Sequence, residues 1–413
     1  MVIDFTYAIL EKTRERGLLW FLKRVLHIII IIPLYLIYSA LILIPGYPVC
    51  KLFNLRFLNV VVRAIGHLCV DVDCYLKEGL LGLRPEYKAI LLASKKNVAN
   101  AHLLTYWEKY LKIIRSPLAC LLLRPLAESR HTQYYTHRYS STIDSKADVY
   151  DIQGKYGTRP PLLALSDSDR NRGRALLNDL GVPPDAWFVC VHAREDGYSP
   201  NSGQSYRNSD INNFLLAMDA IVKRGGWIIR VGDPTMVPLP KMDRVIDYVH
   251  LTVKSDWMDI FLVASCKFFF GSASGLSGLA YVFGTPCVTV DNAPLACVLP
   301  VGPNDISIPK LVWSNDMERY LSFREIFSTP VSNYRYGAFF ERANLRVVNN
   351  TSEEIQAAAI EMLDKVNGKA AYTEHDEELQ TRFKSLMNPT HYSYGSLSRI
   401  GRDFMRKYSH MLE

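Results

Sequence analysis

The sequence predicts an α/β fold built on a parallel, doubly wound sheet. Three observations carry that expectation. Five short apolar runs, at residues 187–191, 227–231, 245–248, 267–270 and 287–290, have the length of buried strands. Helical patterns lie between most of them, at 208–224, 256–264 and 274–283. Glycines or capping residues punctuate the changes of period, as at Gly225-Gly226. Strand–helix alternation of this density describes a Rossmann-like sheet.

The first half repeats the theme less regularly. Residues 60–67 read as an element ending in Gly66-His67, and 89–93 as a short buried strand. Residues 101–111 have a helical pattern, and an apolar element follows at 118–123. The polar stretch 127–165, rich in Tyr and Ser, reads as an interdomain connection. Further on, 167–180 is an amphipathic helix that stops at Gly181. Residues 351–366 form a late helix, whose Thr351-Ser-Glu-Glu354 start has capping-box spacing. The charged, aromatic stretch 367–413 is expected to pack back onto the body.

Composition narrows the class. The chain has 413 residues, 49% hydrophobic and 22% charged, which suits a folded protein of two domains or more and excludes a disordered chain. A net charge of +7 suits anionic lipid or phosphorylated substrates. Without a Lys/Arg block or a stacking motif, nucleic-acid binding is not expected. The eight cysteines include no C-x-x-C pair and sit mostly in apolar runs, as buried thiols of a reducing compartment do.

Between Arg24 and Lys51 lie 26 residues without a charged side chain, long enough for a spanning helix of about 20 residues. No small-residue cleavage site marks it as a signal peptide. Both flanks are basic, with Lys12, Arg14, Arg16, Lys23 and Arg24 before it and Lys51, Arg56 and Arg63 after it, so the positive-inside rule chooses neither orientation. A segment that enters and leaves on one side satisfies both flanks, as an in-plane helix or as a hairpin bent at Pro33. Residues 5–24 mix apolar and basic side chains as an interfacial helix does.

In open parallel sheets, ligands bind beyond the carboxyl ends of the strands. The turns there are His192-Ala-Arg194-Glu195-Asp196-Gly-Tyr198, Gly232-Asp233-Pro234 and Gly271-Ser272-Ala-Ser274-Gly275-Leu276-Ser277. The last opens a helix directly after a strand, which makes an anion site of backbone N–H groups and hydroxyls. It is no P-loop, because no Gly-Lys-Ser/Thr follows. Arg194 is suited to clamp a diphosphate, or else to pair with Glu195 or Asp196. Arg207 is a second candidate phosphate contact, with Asn208 as a helix N-cap. His192 reads as a ligand contact or a structural histidine, and Asp233 as a hydroxyl binder or a turn cap. Asp71-Val-Asp73 is a weak metal candidate; Asp167-Ser-Asp169 opens a helix, where capping explains it. A G-x-S-x-G elbow is absent, so a hydrolase triad has little support.

Taken in order, His192-x-Arg194-Glu-x-Gly-Tyr198, Tyr206-Arg-Asn208, residues 224–234, Lys254-Ser-Asp-Trp-Met-Asp259 and residues 271–277 resemble a family of bacterial glycosyltransferases found with surface-polysaccharide genes. The likeness covers roughly residues 60–365. The His-x-Arg turn is also distantly similar to that of O-fucosyltransferase-type enzymes, from which Glu195 departs by replacing a second basic residue. The resemblance implies a GT-B-like architecture of two Rossmann-like domains facing a cleft. It divides the chain into a membrane-associated segment (1–50), an acceptor domain (51–165), a nucleotide-sugar domain (166–366) and a tail (367–413).

It implies transfer of a sugar from a nucleotide-sugar donor to a glycan acceptor, expected to be lipid-linked, on the cytosolic face of the cytoplasmic membrane. His192, Arg194, Arg207, Gly232, Asp233, Ser272, Ser274, Gly275, Leu276 and Ser277 would hold the donor. Gly66 and His67 would face the acceptor. Arg194 would stabilise the leaving group, and His67, Glu195 or Asp196 would be the general base. No cofactor or metal is expected. The alternatives are a GT-B-like nucleotide-sugar epimerase and a non-catalytic membrane subunit of a polysaccharide assembly complex.

Overall fold

The computed structural model describes residues 19, 22–23, 26–140, 146–198, 203–293 and 301–413. Most of the expected interfacial helix 5–24 lies outside them. In chain order the main helices are α1 (Ile32–Leu52), α2 (Ile65–Leu80), α3 (Leu103–Trp107), α4 (Pro117–Glu128), α5 (Asp148–Tyr156), α6 (Asp167–Asp179), α7 (Leu215–Lys223), α8 (Asp256–Ser265), α9 (Gly275–Phe283), α10 (Ser352–Val366) and α11 (Glu374–Ser385). The chain forms two compact units. One is 1–59, 87–96 and 111–135; the other is 60–86, 97–110 and 136–413. A boundary near residue 165 does not describe this division, because the chain passes between the units several times before residue 136.

The smaller unit is a four-stranded parallel sheet of β1 (Leu55–Asn59), β2 (Lys88–Leu92), β3 (Lys112–Ile114) and β4 (Gln133–Tyr135), in the order β3-β2-β1-β4. Its core gathers Cys50, Phe57 and Leu126, with Ile42, Leu43 and Ile90 packed around them. One open assignment is settled here and one expectation changes. The apolar run at 118–123 lies in α4, where Pro117 fits the first turn and Ser116 caps it through the N–H of Ala119. The stretch 127–165 is not merely a connection, since it contains β4 and α5.

The apolar N-terminal segment is one helix from Ile29 to Leu52, long enough to cross a bilayer, with a π-helical turn at His27–Ile31. No hairpin forms at Pro33. The proline follows the π-helical turn within a continuous helix, and Pro45 and Pro48 lie further along it.

The larger unit holds a seven-stranded, all-parallel sheet. Its strands are β5 (Phe188–His192), β6 (Trp227–Arg230), β7 (Val245–Ile246), β8 (Phe269–Ser272), β9 (Cys287–Asn292), β10 (Ile306–Pro309) and β14 (Arg399–Ile400). The order β7-β6-β5-β8-β9-β10-β14 is the Rossmann order, extended by an edge strand from the C-terminal segment. Central strands read as unbroken apolar runs because both faces are covered; Val189, Val191, Phe268, Phe270, Val288 and Val290 are all buried. A small antiparallel sheet of β11 (Leu311–Ser314), β12 (Arg319–Tyr320) and β13 (Leu345–Val348) follows β10. Thr351 caps α10 in a full capping box with Glu354, as the spacing predicts.

Helix α2 begins where the sequence suggested an ending. Ala64 is extended, and helical bonding starts at Ile65, so Gly66 and His67 occupy the first turn of a helix. That turn lies against the first turn of α9. A Cβ on Gly66 would stand 3.1 Å from Gly275 Cα, and one on Gly275 would stand 2.9 Å from Gly66 N. Glycine at both places is what lets two helix N-termini approach this closely.

Candidate active site

Because sheet order reverses between β5 and β8, the ends of these two strands flank the crevice where ligands of such sheets bind. Both ends carry residues singled out in the sequence. The N–H of Arg194, after β5, donates to Ser272 Oγ at the end of β8 (2.7 Å). Ser274 caps α9 by accepting from the N–H of Leu276 (3.3 Å), and Ser277 Oγ donates back to the Ser274 carbonyl (2.7 Å). The serines shape the turn, and α9 presents its positive end there. Gly271 allows strand contact, since a Cβ would run into the His192 carbonyl oxygen.

Three cations meet at this edge. The Arg194 guanidinium donates to the Gln204 carbonyl (3.1 Å) and to Asn208 Oδ1 (2.5 Å). Arg207 donates to Gln204 Oε1 and to the Ala273 carbonyl, each at 3.0 Å, and so ties the 205–207 turn to the Gly-Ser turn. Buried Lys310, just after β10, donates to the Tyr206 carbonyl (2.9 Å) and the Asn208 carbonyl (2.5 Å). Burial lowers the Arg194 pKa, and the neighbouring Arg207 lowers it further. Lys310 is pulled down to about 8 by burial, with Asp291 opposing and Arg194 and Arg207 adding to the fall. Mutual repulsion among two half-buried cations and one buried one is relieved by an anion, and a diphosphate has the charge and bidentate oxygens for it.

Asn208 does not cap α7. It serves as an acceptor for Arg194, and Asp210 caps the 3₁₀ turn Ile211–Phe214 instead. His192 is buried at the end of β5. Its Nδ1 is 3.1 Å from the Val231 carbonyl oxygen, and burial lowers its pKa to about 4, so it is a neutral structural histidine at pH 7. Gly232, with φ +146, leaves room beside that ring, where a Cβ would come within 2.9 Å of His192 Nδ1. Asp233 caps its own turn by accepting from the N–H of Thr235 (2.9 Å).

Glu195 is committed elsewhere. It accepts from the fully buried Arg230 (2.6 Å) and from the N–H of Val237 (2.8 Å), which anchors the loop after β6. A carboxylate at this position balances a guanidinium inside the sheet. Asp196 is exposed and raises the Arg194 pKa by its charge.

On α2, His67 Nδ1 is 3.2 Å from Asp71 Oδ2, one helical turn on, and 3.2 Å from Ser140 Oγ. Ser140 Oγ also donates to Asp71 Oδ1. Asp71 is fully buried, while His67 is 27% exposed and its ring stacks on His137 at 6.3 Å. A buried carboxylate at Nδ1 fixes that nitrogen as the N–H and places the basic lone pair on Nε2. The Asp71-Val-Asp73 triplet is therefore split: Asp73 faces Lys77 (2.8 Å) in a buried pair. Among the described residues, no group of three His, Cys, Asp or Glu side chains is placed to hold a metal ion.

Ser140 and Lys310 carry no motif in the sequence, where Asp71 reads only as a weak metal candidate and Asn208 only as a helix cap. Asp71 was legible as an i, i+4 partner once His67 was placed inside a helix. Lys310 follows Ile306-Ser-Ile-Pro, a strand that the sequence reading left unassigned.

The fold and its edge define a class: an α/β protein with two parallel sheets, an apolar N-terminal helix and an anion-ready switch point. No family model and no curated protein matches the chain. Solved structures do. The glycosyl transferase family 9 protein from Veillonella parvula covers 75% of this chain and 97% of its own, at 11% identity and a TM-score of 0.49. ADP-heptose lipopolysaccharide heptosyltransferase II from E. coli covers 57% and 84%, at 11% identity and a TM-score of 0.38. The E. coli heptosyltransferase WaaC with ADP covers 62% and 90%, at 12% identity and a TM-score of 0.28.

Proposed function

We propose that the chain is a glycosyltransferase of surface-polysaccharide synthesis, which moves a sugar from a nucleotide-sugar donor to a glycan acceptor carried on a membrane lipid. The observation that carries this reading is the gathering of Arg194, Arg207 and Lys310 around the 204–208 turn, which Arg207 ties to the Gly-Ser turn opening α9, at the switch point of a Rossmann-ordered sheet. A diphosphate held there has its leaving oxygen stabilised by fixed positive charge, which lowers the barrier to breaking the glycosidic bond.

His67, oriented by Asp71, supplies the base that takes the proton from the acceptor hydroxyl. Glycine at 66 and 275 brings this imidazole's helix turn against the turn that would hold the diphosphate. The atoms balance: the acceptor oxygen bonds to the anomeric carbon, the carbon–phosphate oxygen bond breaks, the nucleoside diphosphate leaves, and the proton passes to His67 Nε2.

Calorimetric titration with nucleoside diphosphates, followed by a transfer assay with lipid-linked acceptors, tests the reading. Binding of one nucleoside diphosphate and release of it on transfer are expected. A chain that binds none of them, or that epimerises a nucleotide sugar without an acceptor, overturns the proposal.

A further inference from the structure

We infer that α1 does not cross the bilayer but lies along its surface, and that it shares this lipid-facing role with α4. The inference extends only the membrane part of the proposed function and is independent of the chemistry.

The first ground is how α1 is held. Along the helix, Tyr38, Ser39, Ile42, Leu43, Gly46 and Cys50 are the partly or fully covered positions, a stripe of helical period. This stripe faces the chain's own smaller unit. Tyr38 Oη donates to the Leu121 carbonyl and Tyr35 Oη to Glu128. A Cβ on Gly46 would touch Leu126 Cδ2 at 2.8 Å, and Tyr47 packs edge-on to His131 at 6.0 Å. The opposite stripe, through Leu34, Ile37, Leu41, Ile44 and Leu52, is exposed.

Residues 35–50 are thus strapped to a globular unit, and only six residues of the span, 29–34, precede the first strap. Six residues reach about 9 Å, against a hydrocarbon core of about 30 Å. If α1 stood upright, α4 with its exposed Arg124–Glu128 pair would be drawn into hydrocarbon, where charges are costly.

The second ground is α4 itself. Leu118, Leu121 and Leu122 make an i, i+3, i+4 stripe and are 65%, 56% and 45% exposed, on the helix that receives the Tyr38 bond. They give the same unit a second exposed apolar stripe beside that of α1.

The third ground is charge. The smaller unit carries fourteen Lys and Arg against four Asp and Glu, while the larger unit has 34 against 37. The positive charge of the whole chain therefore resides in the unit with the apolar helices. That pairing of an apolar face with cations suits a leaflet rich in anionic lipid.

The test uses the full chain on vesicles of phosphatidylcholine and phosphatidylglycerol in equal parts. Single spin labels are placed through Leu34→Cys, Leu52→Cys and Leu121→Cys, all exposed positions, and their depths are read from oxygen and nickel-chelate accessibility. The parent protein, taken through the same labelling, supplies the background. All three labels are expected in the acyl region of one leaflet at similar depth. A spanning helix separates positions 34 and 52 by about 27 Å, from 18 residues at 1.5 Å each, and overturns the inference. A water-exposed label at 121 removes α4 from the membrane and also overturns it. Labels shielded from both reagents place a second copy, or the chain's own first residues, on this face, which refutes the lipid assignment. Binding to pure phosphatidylcholine is expected to be weaker by about a hundredfold, at roughly 1 kcal/mol per engaged Lys or Arg; equal binding to both vesicles rejects the electrostatic part.

Discussion

The backbone N–H of Arg194 donates to the Ser272 hydroxyl over 2.7 Å, joining the turn after β5 to the turn after β8. These strands are neighbours in the sheet but 77 residues apart between their last residues and first, so the bond is a long-range clamp on the switch point. It sets the Arg194 guanidinium and the first turn of α9 on one edge, with Arg207 bracing the same edge through Ala273.

The first prediction concerns that clamp. Ser272 is fully buried, so Ser272→Ala leaves the Arg194 N–H without its partner. A loss of about 1–3 kcal/mol in unfolding free energy is expected, measured in urea. Arg194→Ala, by contrast, is expected to abolish transfer while keeping the fold, because its side chain bonds only the neighbouring loop. Unchanged turnover in Arg194→Ala would remove the arginine from the diphosphate site.

The His67–Asp71 pair makes a second prediction. His67→Gln should lower kcat by about 10²–10⁴-fold, the usual weight of general-base catalysis, with donor affinity unchanged. Asp71→Asn keeps the volume but loses the carboxylate that fixes the tautomer, so it should lower kcat and leave the donor KM alone. A rise in donor KM with kcat intact would make this pair a structural feature of α2.

These residues also show where sequence and structure part. Five of the seven strands of the larger sheet were legible because a buried parallel strand is an unbroken apolar run, as residues 188–191 are. The loops after them were legible because ligands sit at strand ends. Illegible were the elements whose character depends on distant contacts. Residues 118–123 read equally as strand or helix until α1 covers one side of them. The turn at Gly66-His67 reads as an ending, because glycine usually closes a helix; here it is needed for contact with Gly275. Glu195 looked available for chemistry, and only the buried Arg230, 35 residues further on, explains its presence.

Lys310 predicts a pH dependence of binding. Its folded pKa of about 8 means that it discharges as pH rises through 8, weakening the field at the anion site. Affinity for a nucleoside diphosphate should therefore fall between pH 7 and 9, as followed by calorimetry. Stability moves the other way. Over the interval from about 8 to the ordinary lysine range the unfolded chain binds the extra proton, so unfolding free energy rises with pH there. Lys310→Met should weaken binding at pH 7 and flatten the dependence. Affinity that is constant from pH 7 to 9 in the parent protein would exclude Lys310 from the anion site.

His192 predicts an acid limit on the fold. Its folded pKa is about 4, lowered first by burial and then by Arg230 and Arg194, whereas an unfolded histidine titrates near 6.5. Between those values the unfolded state takes up a proton that the folded state refuses, so stability falls as pH drops from 6.5 toward 4 and is unaffected by this group above 6.5. The full interval amounts to about 3 kcal/mol at 1.36 kcal/mol per unit. His391, also lowered to about 4 by burial, adds in the same direction. Urea unfolding at pH 7.5, 6 and 5 should show the decline, and His192→Asn should reduce its slope while retaining a side chain able to donate to the Val231 carbonyl. An equal slope in that variant would mean that His192 titrates in the folded protein as it does in the unfolded chain, and that burial does not hold the ring neutral.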